Sequence, residues 1–322
     1  MLRLGLLSTA RINGIIVAAA AATGCFDVSA VASRDVARAE AYARETGISR
    51  PYGSYDALLL DPEVDAVYIS LPNRLHHEWT MRALDAGKHV LCEKPYSRHP
   101  AEVEAAFARA AQHGLILTEG FMYRHHPQTQ TIGHIASNGA LGRLQAIHAD
   151  FSLHLKNPSD GRFRADLDRG SLMDIGCYCI SVLRLLAGEP ERVAGEHVIG
   201  PTGVDVAFHG KLRFRDDIAG EIDCSFLLPR RQNLEVIGED GSLIVQAPFR
   251  PDWGGHVVLQ RGTGRTCIEI PEANSFEREL VNFADAVAGR DAPLLDREDA
   301  LGQARTIDAL HRAAENAQWV DL

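Results

Sequence analysis

The first third of the chain alternates short apolar runs with longer helical stretches, and this alternation restricts the fold more than any other feature. The runs 2-LRLGLL-7, 28-VSAVA-32, 66-AVYIS-70, 89-HVLC-92 and 115-LIL-117 read as strands buried on both faces. Between them, 12-INGIIVAAAAA-22, 35-DVARAEAYARETG-47, 77-HEWTMRALDAG-87 and 101-AEVEAAFARAAQHG-114 are Ala-rich or amphipathic with helical period. Gly47, Gly87 and Gly114 stand where three of these helices must stop. Strands joined through helices run parallel, so residues 1–120 are expected to form a doubly wound parallel sheet with helices on both faces.

The rhythm changes near residue 121. The runs 143-RLQAIHADFSL-153, 204-VDVAFHGKLRF-214, 219-AGEIDCSFLL-228, 232-QNLEVIGE-239, 242-SLIVQ-246, 256-HVVLQ-260 and 266-TCIEI-270 follow one another through short polar turns such as Asp216-Asp217 and Asp240-Gly241. Successive strands with tight turns pair antiparallel, and their partial alternation gives one covered face and one polar face. Residues 121–322 therefore read as an α+β domain with a large, mostly antiparallel sheet. A helix over 171–188 interrupts it, and helices near 275–289 and 296–317 close the chain and are free to pack back on the first domain.

With 322 residues the chain is long enough for two domains or for one large one, and with 46% hydrophobic content it can bury a sizeable core. A net charge of -10 argues against nucleic acid as a partner, because phosphate-backbone binders carry basic patches. Of the six cysteines, the close pair Cys177 and Cys179 has neither metal-ligand nor redox spacing. The six read as mostly buried thiols in a reducing compartment, with cytoplasm the default. No cleavage region follows the first apolar run, and no apolar run approaches membrane-spanning length.

In a doubly wound domain the first strand-to-helix turn is where a dinucleotide pyrophosphate sits, on free N–H groups at the helix start. Here that turn is 5-GLLSTARIN-13, and the three glycine places of a G-x-G-x-x-G fall on Ser8, Ala10 and Asn13. Ser and Ala still permit close backbone approach, whereas Asn13 at a tight helix–sheet contact is unusual. Ser8, Thr9, Ala10, Arg11 and Ile12 are the candidate phosphate-facing residues. At the end of the second strand the chain reads 32-ASRD-35, where an acid would accept from a ribose 2′-hydroxyl. Ser33 and Arg34 suit a 2′-phosphate instead, so NADP(H) is preferred and NAD(H) stays possible. Asp35 is open to two roles, ribose contact or capping of the next helix.

Four segments together resemble the Gfo/Idh/MocA family of nicotinamide-dependent sugar and polyol oxidoreductases: the Rossmann-like start, 93-EKP-95, 119-EGFMYRHHPQ-128 and 169-RGSLMDIGCY-178. The pattern is most similar to the branch holding dihydrodiol dehydrogenases, D-xylose dehydrogenases and keto-sugar reductases. The resemblance implies an N-terminal Rossmann domain, cofactor contacts from Leu71, Asn73, His76, Glu93 and Lys94, with Asn73 at the nicotinamide ribose, and a cis Lys94-Pro95 bond. It also implies substrate contact at Asp174, proton transfer at Tyr178, and a homodimer or larger oligomer. Tyr123, Arg124 and Arg164 join Asp174 and Tyr178 as candidate substrate-binding residues, and Glu119 and His126 lie in the same segments.

The chemistry of these residue types agrees. Lys94 follows a parallel strand at its carboxyl end, where ligands of open α/β sheets bind, and its ammonium group can stabilise a nearby phenolate. An ordinary phenol, with a pKa of about 10, is a poor base at neutral pH, so a proton-transferring Tyr178 needs a cation beside it. Asp174 and Tyr178, four residues apart, share a helix face. The doublets His76-His77 and His125-His126 lack the accompanying ligands of a metal site, so no metal is expected. The expected activity is hydride transfer between a nicotinamide and a sugar or cyclic polyol. Two rivals are an NAD-dependent glycosidase, which would retain its cofactor without net turnover, and a dinucleotide-sensing regulator, which would have no need of Lys94 with Tyr178.

Overall fold

The computed structural model describes all 322 residues, which form two compact units: Met1–His125 with Asn274–Leu301, and His126–Ala273 with Gly302–Leu322. The first begins with β1 (Leu2–Leu7), α1 (Asn13–Thr23), β2 (Phe26–Ala32), α2 (Val36–Thr46), β3 (Arg50–Tyr52) and α3 (Tyr55–Leu59). It continues with β4 (Ala66–Ile69), α4 (His76–Asp85), β5 (His89–Glu93), α5 (Pro100–His113) and β6 (Leu117–Gly120). The second contains α6 (Pro127–Ser137), β7 (Leu144–Ser152), α7 (Cys177–Ala187), β8 (Arg192–Ile199), β9 (Asp205–Arg213) and β10 (Ala219–Ser225). After β11 (Arg231–Gly238), β12 (Ser242–Gln246), β13 (Val257–Arg261) and β14 (Gly264–Ile268), α8 (Ser275–Val287) returns to the first unit. The chain ends with α9 (Arg297–Asn316) and β15 (Val320–Asp321).

The first unit's sheet has strand order β3-β2-β1-β4-β5-β6, all parallel, with the order reversing between β1 and β4. Such a reversal opens a crevice at the carboxyl ends of the strands. Leu4, Leu6, Val31, Val67, Val90 and Leu91 have no exposed surface, as continuous apolar runs require. Gly47 and Gly114 close their helices at φ 77° and 65°. β3 and α3 do not stand out in the sequence. Three residues with a central proline carry too little pattern, and Pro51 is tolerated because β3 is an edge strand. β6 starts where the sequence places its end, because Gly114 N donates to Ala111 O and Leu115 N to Ala110 O, which completes the cap of α5. α8 packs on α1 in this unit, with Phe283 stacked on Phe26 at 6.2 Å.

The second unit's nine-stranded sheet runs β14-β13-β12-β11-β7-β10-β9-β8-β15. All pairs are antiparallel except β7 with β10. β8, with a central glycine and little apolar alternation, escaped the sequence reading. The inner face buries Ile147, Ala149, Phe151, Ile222, Leu234 and Val236, and α7 lies against β7. The outer face is polar, carrying the pairs His148–Glu221 at 3.2 Å, His209–Asp223 at 3.0 Å and Arg231–Asp150 at 2.6 Å. One sequence expectation needs correction. Ala165–Ala187 is long and apolar enough to span a membrane by length and composition, but 78% of its apolar window is buried inside the protein. Charges at Asp174 and Arg184 interrupt the apolar stretch and hid it from a count of consecutive apolar residues.

Candidate active site

The β1–α1 turn works without glycines. Ser8 adopts φ 143°, in the region that favours glycine. Its Oγ accepts from Ala10 N at 3.1 Å and lies 2.7 Å from Ser70 Oγ. Ser70 Oγ in turn donates to Asn13 Oδ1 at 2.6 Å, and Asn13 Nδ2 donates back to Ser8 O at 2.8 Å. Asn13, fully buried, is therefore the staple of the turn, which accounts for an amide at a place where close packing favours glycine. α1 has Ile12 at its N-cap position, with no side-chain cap and no acid in its first turn. α2 and α3, by contrast, are capped by Asp35, accepting from Ala37 N, and by Ser54, accepting from Ala57 N. An uncapped start suits an anion, so the residues fit a dinucleotide pyrophosphate at Ser8–Ile12.

At the end of β2, Asp35 serves as the cap of α2, and Ser33 is buried with its N–H on Tyr52 O at 3.0 Å. Arg34 and Arg38 both lie near the Tyr55 hydroxyl, where burial is the main effect raising its pKa and the two guanidinium groups oppose it. Arg38, one helical turn beyond Arg34, is the cation that sequence reading passed over.

Lys94 is half-buried just after β5, and its bond to Pro95 is cis. The segment is fixed on both sides. His76, with 1% of its surface exposed, places Nδ1 3.0 Å from Pro95 O and Nε2 2.8 Å from Leu71 O. Buried Glu119 accepts from Tyr96 N at 2.7 Å. Glu93 Oε1 accepts from the Tyr68 hydroxyl. Leu71 and Asn73 are buried after β4. Tyr123 has no exposed surface, and Arg124 is buried with NH1 3.2 Å from Asp299 Oδ1. Burial and the neighbouring Arg124 depress the His125 pKa to about 3. His126 belongs to the second unit and caps α6, with Nδ1 accepting from Gln128 N at 3.0 Å.

In the second unit the segment from Gly170 to Tyr178 carries Asp174 and Tyr178. Gly170 has φ 142°, and a Cβ there would lie 2.0 Å from Asp205 Oδ1. Asp205 Oδ2, buried, accepts from Ser171 Oγ at 2.5 Å and Leu172 N at 2.8 Å. Burial raises the Asp205 pKa, and these hydrogen bonds partly oppose the shift. A π-turn over Leu172–Gly176 then leads directly into α7, so Asp174 and Tyr178 straddle the junction. π-turns inside helices frequently mark functional sites. Arg162 Nε lies 3.1 Å from Asp174 Oδ2, with Arg169 NH1 3.9 Å from Oδ1. Arg164 is exposed and paired with Asp166 at 2.5 Å, so Arg162, two residues earlier, and Arg169 engage Asp174 in its place. The Tyr178 ring is buried, 5.7 Å from Phe151 and 5.5 Å from Phe249, which stack on each other at 5.7 Å.

Residues 11–121 match the model of the oxidoreductase family Gfo/Idh/MocA, described as an NAD-binding Rossmann fold, and residues 129–244 match its C-terminal domain. The chain belongs to the Gfo/Idh/MocA family. It is 39% identical to D-xylose 1-dehydrogenase (NADP(+)) 2 of Haloferax volcanii, over 99% of both chains. Among solved structures, a 3-ketoreductase from Actinomadura kijaniata in complex with NADP and TDP-benzene superposes with a TM-score of 0.92 at 32% identity, over 97% of each chain. An aldose-aldose oxidoreductase from Caulobacter crescentus, complexed with glycerol, also gives 0.92 at 26% identity, over 100% of this chain and 99% of its own. As a Gfo/Idh/MocA chain, the protein carries Lys94 on its first unit and Asp174 with Tyr178 on its second.

Proposed function

We propose that the protein is an NADP(H)-preferring oxidoreductase that moves hydride between the nicotinamide and a carbinol or carbonyl carbon of a sugar or related cyclic polyol. The bound nicotinamide supplies the hydride chemistry, and the chain supplies position, charge and proton transfer. In oxidation the Tyr178 phenolic oxygen takes the hydroxyl proton, and in reduction it returns one. The Lys94 ammonium group stabilises the phenolate, and Asp174, oriented by Arg162, accepts from a neighbouring hydroxyl.

The observation that carries this reading is the fixing of the residues around Lys94, by His76 at Pro95 O and Glu119 at Tyr96 N after it and by the Tyr68 hydroxyl at Glu93 before it. A solvated lysine needs no such buried support. Ser33 and Arg34 just after β2, with Arg38 in the first turn of α2, favour a 2′-phosphate, in keeping with the NADP named for the xylose dehydrogenase and the ketoreductase. Lysine-to-alanine and tyrosine-to-phenylalanine variants of that ketoreductase have also been solved. The test is a screen of pentoses, hexoses and keto-sugars, following absorbance of the reduced nicotinamide. Unchanged turnover in both Tyr178→Phe and Lys94→Ala sinks the proton relay. We assign the outer face of the nine-stranded sheet to a homodimer or larger oligomer, which sedimentation at a monomer mass across concentrations would overturn. Six free thiols suit a cytoplasmic setting.

A further inference from the structure

Three glutamines of the second unit are buried: Gln128, Gln232 and Gln303. Two have evident work. Gln128 Nε2 donates to Ala247 O at 3.3 Å. Gln303 Nε2 donates to Cys177 O at 2.8 Å, and its Oε1 accepts from Arg184 NH1 at 3.1 Å. Gln232, 7% exposed, is different: both its Nε2 and its Oε1 are buried with no hydrogen-bonding partner in the protein. A donor and an acceptor left together in this way forfeit their hydration without compensation, and such groups in native folds call for a ligand or a water.

Its location supplies the reason. Gln232 stands opposite Phe151 in the β11–β7 pairing, and the burial alternation of both strands puts the two side chains on the inner face. Opposed side chains on one face lie in contact. Phe151 is one wall of the Phe151–Phe249–Tyr178 group. Gln232 O also accepts from Ala247 N at 3.2 Å, which holds the start of the segment carrying Phe249.

We infer that the Gln232 amide is a substrate-binding, specificity-determining group beside Tyr178, pairing with a hydroxyl of a polyhydroxylated substrate next to the reacting carbon. The inference deepens the proposed function and rests on it. A hydroxyl both donates and accepts, so one planar amide satisfies a vicinal pair. The phenylalanine rings alongside offer an apolar surface to the C–H face of a sugar ring.

The test is Gln232→Met, which keeps the volume and removes both polar atoms. The purified full chain is assayed with the fastest wild-type substrate from the sugar screen, and melting is measured without substrate. Recognition predicts a KM raised roughly tenfold or more, corresponding to about 1.4 kcal/mol, with a smaller change in kcat and a Tm no lower than wild type. Deoxy analogues of that sugar sharpen the result. The analogue lacking the paired hydroxyl should lose its penalty in wild type when assayed on the variant. An unchanged KM, or a Tm lowered by several degrees with KM intact, overturns the inference and leaves Gln232 a structural residue held through water. Wild-type protein that binds NADPH but turns over no sugar sinks the proposed function itself, and the inference falls with it.

Discussion

The molecule has two helix starts at which chemistry is expected, and they are built in opposite ways. α1 begins with no side-chain cap and no acid, and its first N–H groups, those of Asn13, Gly14 and Ile15, turn back onto Ala10 O, Arg11 O and Ile12 O. The helix carrying Asp174 and Tyr178 begins on a buried carboxylate, because Asp205 takes Ser171 Oγ and Leu172 N. At the first start no protein side chain takes a helix N–H, whereas at the second a buried carboxylate does, and the candidate groups there, Asp174 and Tyr178, are side chains. The contrast also explains the glycine usage. The first turn forgoes glycine and is tied by Asn13, whereas the second needs Gly170 because Asp205 leaves no room for a Cβ.

If the second start is the reacting one, Tyr178→Phe should lower kcat by about a thousandfold at unchanged Tm, measured by nicotinamide absorbance. Lys94→Ala should cost nearly as much, and the double variant little more than either alone, because paired groups act as a unit. Additive losses would separate the two residues. Next in size, Asp205→Ala should destabilise the protein by about 2–3 kcal/mol in urea titrations, by leaving the Ser171 hydroxyl and Leu172 N–H without their acceptor. Stability equal to wild type would remove the contrast between the two starts.

On the binding side, Arg34→Ala should weaken NADPH about tenfold by calorimetry and leave NADH nearly untouched. Equal losses for both cofactors would assign the arginine to general charge. The smallest effect concerns Glu279 on α8, whose Oε1 is buried without a hydrogen-bonding partner and whose pKa burial, then Glu93, pushes well upward. A carboxyl with a raised folded-state pKa binds more protons folded than unfolded. Stability therefore falls as pH rises from the ordinary carboxylate range through that raised value. Glu279→Gln should flatten this decline and gain about 1 kcal/mol at pH 8; an unchanged pH profile of Tm would show that Glu279 is ionised in the fold.

Much of the fold was legible because its signals are long. Runs such as 66-AVYIS-70 and 242-SLIVQ-246 have the period their burial requires, and Gly47 and Gly114 mark real helix ends. What escaped lacks pattern: β3 is three residues at an edge, and β8 shows too little alternation to distinguish it from a loop. For the site, sequence gives residue type and order but not pairing. Arg162 and Arg164 are equivalent in sequence, and only the turn between them decides that Arg162 engages Asp174 while Arg164 meets Asp166. Tyr123 and Arg124 lie in one of the motifs that carry the resemblance, and their side chains are buried, one without exposed surface and the other against Asp299. Gln232 was invisible for a different reason, since an unpartnered amide can be recognised only once every other partner has been placed.

The Ser8–Ser70–Asn13 ring has a consequence for affinity. A glycine-rich turn stays mobile until a phosphate orders it, so part of the binding free energy is lost to conformational entropy. Here three short side chains hold the turn in one shape, and that entropy is already lost during folding. The cradle is preorganised, and the slow exchange expected of the Asn13 side-chain amide should look the same with and without a dinucleotide present.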